Sequence, residues 1–393
     1  MSGPLDTLKI LDLTALLPGP FATLYLSDLG ATVLRVTSAS RPDPLETRHP
    51  IVPSKSISAI AAYLGRGKLS LNLNLKHSRA VEIVHRLIQE YDIVIEQFRP
   101  GVMARLGLDY ESLSKVNPAL IYCSLTNYGQ TGPLRDRAGH DINMFARSGI
   151  ASYSGKQESG PALTGMQIAD LAAGSLNAVI GILAAVIKRR ETGEGQYIDI
   201  SMTDGMIAFN VLYGASFLAG AGEPVREGER LNGGILYDFY ETKDGEYMSL
   251  GALEPQFFKI FCEKIGRADL AAGGIHPADV DQVKAEIRAV FKSRTRDEWV
   301  ETFRDVDACV EPVVHLSEVL NGGHAKTREM VIDVDFSDGG KIKQVANPIK
   351  FSRNKQDYAF AGVPAGTHTK TTILDLGYSE DEYKIMEAAG VFS

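Results

Sequence analysis

The stretch from Leu8 to Val36 does most to limit what this chain can fold into. Leu8-Lys9-Ile10-Leu11-Asp12-Leu13 alternates as a strand does, Pro18-Gly19-Pro20 opens a helix through Phe21 to Leu29, and Ala31-Thr32-Val33-Leu34-Arg35-Val36 is a second strand. Strands joined through a helix pair as parallel neighbours, so this start predicts an α/β fold with a parallel sheet of the nucleotide-binding type. The turn after the first strand reads Leu17-Pro18-Gly19-Pro20. It lacks GxGxxG, which removes the main support for a dinucleotide.

The alternation continues. Gly65-Arg66-Gly67-Lys68 leads into a strand from Leu69 to Leu73, a helix runs from His77 to Tyr91, and a buried strand follows at Ile93-Val94-Ile95-Glu96. Phe98-Arg99-Pro100-Gly101-Val102 and Arg105 come directly after it, and Leu120 to Leu125 adds another strand. Ligands of open α/β sheets sit at the carboxyl ends of the strands. Arg99 lies at such an end, which makes Arg99, Arg105, Arg66 and Lys68 candidate phosphate-binding cations, since a guanidinium can give one phosphate two hydrogen bonds. Taken singly, each is more readily a solvated surface charge. Nucleic acid is a poor partner for a chain with 49 acidic and 41 basic side chains, a net charge of -8. Cys123, Cys262 and Cys309 lie too far apart for a disulfide framework or a zinc site, which fits a reducing cytoplasm. Met1 to Asp6 carries no signal-peptide pattern.

Ala138-Gly139-His140-Asp141-Ile142-Asn143 follows a polar loop and begins the apolar run Ile142–Ile150, a helix N-terminus. Asp170 heads a second helix, to Arg190, long and largely apolar. Ser175 and Asn177 break its apolar run and Lys188-Arg189-Arg190 ends it, which reads as a core helix rather than a membrane span. Two readings stay open for His140 and Asp170: a pair of helix caps, or a pair that handles a proton. A helix is expected from Asp204 to Leu218, and after Pro224 the texture changes. Tyr237 to Gly251 forms a hairpin around Asp244-Gly245, and helices follow at Pro255–Ile265, Val280–Lys292 and Thr295–Asp305. Asn347 to Ser352 resumes strand texture, and the helical tail returns to the first domain. At 393 residues the chain has room for two domains. The division expected is a large domain over 1–200, a linker helix over 201–229, a small α+β domain over 230–325, and a return to the large domain over 326–393.

Several segments together resemble CoA-transferase family III (CaiB/BaiF), and within it the α-methylacyl-CoA racemase branch. They are Asp28-Leu29-Gly30-Ala31, Phe98 to Val102, Gly129-Gln130-Thr131-Gly132-Pro133, Gly139 to Asn143, Asp170, Gly193-Glu194-Gly195-Gln196, Leu231-Asn232-Gly233-Gly234, Leu253-Glu254-Pro255-Gln256-Phe257 and Asp307 to Val313. The resemblance implies a Rossmann-like large domain built from both chain ends, a small α+β domain, an interlocked homodimer and an acyl-CoA thioester as ligand, with no further cofactor and no metal. It implies a catalytic His140 and Asp170 on opposite faces of the thioester α-carbon, with Asp141 and Glu254 supporting the imidazole. Gly139, Met144, Arg41, Arg66, Lys68, Arg99 and Arg105 are the expected CoA-binding positions.

The resemblance leaves two chemistries. In the racemases the His and Asp exchange a proton through an enolate; in the transferases the matching Asp is a nucleophile that carries acyl and CoA groups. His140, Asp141 and Glu254 together favour the racemase, whereas Ala169-Asp170-Leu171-Ala172-Ala173 is nearer to many transferases than the racemase pattern Gly-Asp-Phe-Gly-Gly, and Met144 stands where a Tyr is usual. Ser38 occupies the place of a basic residue that often binds the CoA 3′-phosphate, so either Arg41 takes that contact or it is lost. Backbone N–H groups at the start of the Asp170 helix are the expected donors to the enolate oxygen. Met144, Met166, Met202, Met206 and Met248 either line a pliable acyl pocket or simply fill the core.

Overall fold

The computed structural model describes residues 3–354 and 356–393. Six strands form one sheet in the order β3-β2-β1-β4-β5-β6, where β1 is Lys9–Leu13, β2 Thr32–Thr37, β3 Lys68–Asn72, β4 Ile93–Glu96, β5 Ile121–Thr126 and β6 Gln196–Ser201. Every pairing within it is parallel. The order reverses between β1 and β4, and in open α/β sheets the ligand crevice lies beyond the carboxyl ends of the strands at such a point. β4 and β5 are buried along their whole length, as expected for strands covered on both faces.

One sheet face packs on the Ser78–Leu87 helix, whose Ala80, Ile83, Val84 and Leu87 recur at helical spacing and join a core with Leu11, Leu34, Leu71, Val94 and Tyr122. On the β6 side runs the Asn177–Thr192 helix. A Cβ added to its Gly181 would lie 3.2 Å from Ile198 Cγ2, so the helix axis sits close to the strand. Among the described residues, Ala169–Thr192 is the one continuous helix long and apolar enough to cross a membrane; 44% of its most apolar window is buried within the protein.

The chain divides into two compact units. The first holds the residues up to Ser148 together with Gly165–Phe209 and Lys326–Ser393, and the second holds Gly149–Thr164 with Asn210–Ala325. In the first unit the returning segment closes over the open edge of β3: His368 N donates to Ser70 O (2.8 Å), Ser70 N to His368 Nδ1 (3.1 Å), and Asn72 N to Thr369 Oγ1 (3.0 Å). This edge would otherwise expose unpaired backbone groups. In the second unit β7 (Asp238–Glu241), β8 (Tyr247–Leu250) and β9 (Val310–Pro312) form an antiparallel sheet packed on helices through Phe258, Phe261, Phe291 and Trp299.

Two expected elements differ. The helix over 204–218 is two, Met202–Ala208 and Val211–Leu218, and the break at Phe209–Asn210 falls where the chain passes from one unit to the other. Asn347 to Ser352 is not a strand. Asn347 Oδ1 accepts from Ile349 N (3.0 Å), which closes a side-chain turn, and Pro348 has no N–H for a ladder. The strands of that region are β10 (Val331–Asp335) and β11 (Lys341–Val345), an antiparallel hairpin.

Candidate active site

His140 is the N-cap of the Asp141–Arg147 helix, with extended backbone angles. Its N–H donates to Asn143 Oδ1 (3.0 Å), and Asn143 N donates back to His140 O (2.7 Å). Gly139 before it is held by Asn127 Nδ2, which donates to Gly139 O (2.7 Å), and Asn127 O in turn accepts from Thr203 N and Oγ1. A Cβ at Gly139 would come within 2.9 Å of the Tyr128 hydroxyl, so only glycine lets this turn pack. The outcome is a solvent-exposed imidazole on a backbone fixed from three sides.

Asp170 does not cap a helix. It is the second residue of a π-helix, Ala169–Leu176, that runs without interruption into Asn177–Thr192. π-Helical turns are rare and gather at functional sites. Ser175 shows how this one is held: its hydroxyl lies 2.9 Å from Asp170 O, five residues back, and 2.6 Å from Pro18 O. Gly174 and Gly205 admit close packing against the Met202–Ala208 helix, for a Cβ on Gly174 would meet Met202 Cγ at 2.8 Å and one on Gly205 would meet Ala173 O at 2.8 Å.

The carboxylate that caps is Asp141. Its Oδ1 accepts from Ala169 N (2.7 Å) and Asp170 N (3.0 Å), which ties the two helix starts together and brings His140, Asp141 and Asp170 into one cluster. Its hydrogen bonds therefore go to the 169–170 backbone, and none among the described residues runs to the imidazole. The same bonds occupy the N–H groups expected to receive an enolate oxygen, and Leu171 N is taken by Gln167 O (2.9 Å). That expectation fails because a helix-start donor already filled by the half-buried Asp141 carboxylate has nothing left for substrate.

The Asp170 carboxyl is pushed up to about 6. Burial is the main cause and the Asp141 charge adds to it, while the His140 imidazole works in the opposite direction. Near neutral pH this carboxyl can both hold and release a proton.

At the crevice, Gly19 N donates to Gln97 Oε1 (3.1 Å), joining the segments after β1 and β4. Glu96, buried at the end of β4, accepts from Phe98 N (2.7 Å) and from the Ser124 hydroxyl, and burial pushes its carboxyl up to about 7. Arg99 and Arg105 are exposed beyond β4, and Arg41 is exposed after β2. Arg66 and Lys68 are corrected. They enter β3 at its amino-terminal end, away from the carboxyl edge, and are nearly inaccessible. Arg66 spends its donors on Asp28 Oδ1 (2.9 Å) and Oδ2 (2.6 Å), Gln344 Oε1 (2.9 Å) and Val345 O (3.0 Å). Lys68 Nζ donates to Pro20 O (2.8 Å) and Thr23 Oγ1 (2.6 Å) beside Asp12. Met144 is likewise withdrawn as a ligand contact, because its side chain lies wholly in the core; Met202, Met206 and Met248 are also buried, whereas Met166 is exposed. Glu254 belongs to the second unit, as the exposed N-cap of the Pro255–Lys264 helix.

The family model for CoA-transferase family III matches residues 5–369. The chain belongs to that family. It is 34% identical to the alpha-methylacyl-CoA racemase of Homo sapiens over 96% of this chain and 94% of that protein. It is 31% identical to the succinyl-CoA:glutarate CoA-transferase of Mus musculus, over 99% of this chain and 90% of that protein. A CAIB/BAIF family protein from Brucella suis has the same fold, with a TM-score of 0.84 and 30% identity, covering 96% of this chain and all of that one. This family III chain thus has relatives of both chemistries at similar identity, and it is an enzyme that acts on acyl-CoA.

Sequence reasoning missed the double cap by Asp141, the Ser175 anchor and a further arginine, Arg135, beside Gly101. Asp141 was visible as an acid in a helix's first turn; its reach to a distant helix was not.

Proposed function

We propose that this enzyme inverts the configuration of a 2-substituted acyl-CoA, exchanging the α-proton through an enolate. The observation that carries the reading is a carboxyl with an elevated proton affinity, Asp170, whose backbone N–H donates to Asp141, the residue that follows His140. His140 takes the α-proton as the thioester becomes an enolate, and protonated Asp170 returns a proton to the other face; for the opposite enantiomer the roles reverse. Asp141 serves by fixing the Asp170 backbone and by keeping the neighbouring carboxyl protonated to higher pH. No metal or further cofactor is needed for this exchange.

The rival is CoA transfer with ionised Asp170 as nucleophile, which the half-open carboxyl and the transferase relatives also suit. Proton NMR of a 2-methylacyl-CoA in D₂O separates them. Exchange of the α-hydrogen without any acceptor acid supports inversion, and His140→Ala should slow it by roughly 10²–10⁴-fold. Acceptor-dependent CoA exchange that survives His140→Ala would establish transfer instead.

We further propose that two copies of the chain associate. Support comes from apolar surface left open in each unit: Leu176, Ile180 and Ile187 on the long helix of the first, and Val211, Leu212, Phe217 and Leu218 in the second. Sedimentation equilibrium should give twice the chain mass; a monomer at micromolar concentration contradicts the proposal.

A further inference from the structure

We propose that Asp43 is a positioning residue for Asp170. It holds Leu16 in a left-handed turn and so sets the place of Pro18, on whose carbonyl the π-turn of Asp170 is anchored through Ser175. That Asp170 is the reacting carboxyl rests on the function proposed above; the link between the two aspartates rests on geometry.

Leu16 has a φ of +60°, and among the described non-glycine residues with positive φ it is the one aliphatic residue. A side chain crowds the following carbonyl at such angles, so they persist only where the surroundings impose them. Asp43 imposes them here. Its Oδ2 accepts from Leu16 N (2.8 Å), and its Oδ1 accepts from Leu45 N (2.9 Å). Arg35 Nη2 donates to Asp43 Oδ2 (3.1 Å) and lies 3.2 Å from Glu46 Oε1. Because Arg35 belongs to β2, its guanidinium fastens the 43–46 loop to the sheet. The Asp43 side chain is 5% exposed, so water competes little for the bond to Leu16.

The path from Leu16 to Asp170 is short. Thr14 N donates to Asp12 Oδ1 (3.0 Å), and a Cβ on Gly19 would fall 2.2 Å from Thr14 Cβ, so residues 14–19 close into a tight turn. Leu16 lies at its bend, and the Pro18–Asp28 helix begins inside it. Pro18 O accepts from the Ser175 hydroxyl (2.6 Å), the same hydroxyl that lies 2.9 Å from Asp170 O. Ser175 is wholly buried, so no water replaces Pro18 if that carbonyl moves away. A change of shape at Leu16 therefore reaches the turn that presents Asp170.

Amide hydrogen exchange of the full chain, read by mass spectrometry, tests this strut alongside turnover of a 2-methylacyl-CoA. Asp43→Ala should speed amide exchange across Ala169–Leu176 about tenfold and leave the Ser78–Leu87 helix at its wild-type rate. In α-proton removal kcat should fall about tenfold with KM nearly unchanged, because the substrate contacts stay while the carboxyl is misplaced. Leu16→Asn added to Asp43→Ala should restore both, since asparagine takes left-handed angles more readily than leucine. Ser175→Ala should speed the 169–176 amides and spare those of residues 14–46. If Asp43→Ala does not fold, Asp43→Asn, which keeps an acceptor for one of the two backbone N–H groups, should show the same signs. Wild-type amide exchange at 169–176 in the Asp43 variant overturns the strut, as does equal acceleration in Ser78–Leu87 or a Ser175→Ala variant with no effect at 169–176. If the wild type does not remove the α-proton but Asp43→Ala still frees Ala169–Leu176, the strut stands and the inversion reading falls.

Discussion

Arg66 and Lys68 on one side, and Arg105 and Arg135 on the other, are four cations that the first unit treats in opposite ways. Arg66 is 1% exposed, bidentate to Asp28 and sandwiched by the rings of Tyr63 and Tyr358 at 5.2 and 4.7 Å. Through Gln344 and Val345 it binds the returning segment to the start of β3, so it serves chain closure. Arg105 and Arg135 stand in solvent; among the described residues Arg105 has no ion pair and Arg135 has only the exposed Asp136, at 4.0 Å. The difference lies in which end of a parallel strand each residue occupies. Cations at the amino-terminal entry of β3 fall beneath later chain and must be neutralised within the protein, whereas those beyond the carboxyl ends face the crevice and stay available.

Substitution separates the two pairs of cations. Arg66→Met should cost about 3–5 kcal/mol in urea unfolding, because it leaves Asp28 buried and unpaired, and Arg66→Met with Asp28→Leu should restore much of the loss. Full stability in the single variant would mean that Arg66 does not hold the returning segment closed. Lys68 gives a smaller, pH-dependent effect. Burial pulls its ammonium down to about 8, against which the Asp12 charge works only in part. The unfolded chain therefore binds more protons than the folded one between about pH 8 and the ordinary lysine range near 10.4. Lys68's contribution to stability should rise with pH across that window, by up to about 1.4 kcal/mol per pH unit, and Lys68→Met should remove that rise. Urea midpoints at pH 7.5 and 10 measure it. Smallest of all, Arg105→Gln and Arg135→Gln should each shift stability by no more than about 0.5 kcal/mol, since neither holds a buried partner. A larger loss would move them to the structural side of the comparison.

Much of the architecture was legible because it depends on local pattern. Alternating and continuous apolar runs mark β1 to β5, Pro18-Gly19-Pro20 marks the first helix, and Asp244-Gly245 marks the hairpin of the second unit, where Gly245 takes a φ of +80°. His140 and Asp170 were legible as helix-start residues of suitable chemistry, and their grouping is found in the structure. The Asn347–Ser352 strand failed because a side-chain turn and a proline outweigh alternation over so few residues.

By itself the sequence determined a parallel α/β sheet whose carboxyl edge carries the basic loop residues, together with a histidine and an aspartate at two helix starts. Periodicity and turn chemistry act between near neighbours, so a single chain states them directly. Only the tertiary structure decided that Asp141 rather than Asp170 is the cap, that a π-turn anchored by Ser175 to Pro18 presents Asp170, that Arg66 and Lys68 are consumed by the core, and that Arg135 comes over Gly101 beside Arg105. Each of these joins residues tens or hundreds of positions apart. Burial and proximity, which set both the proton affinity of a carboxyl and the availability of a cation, exist only once those distant segments have packed.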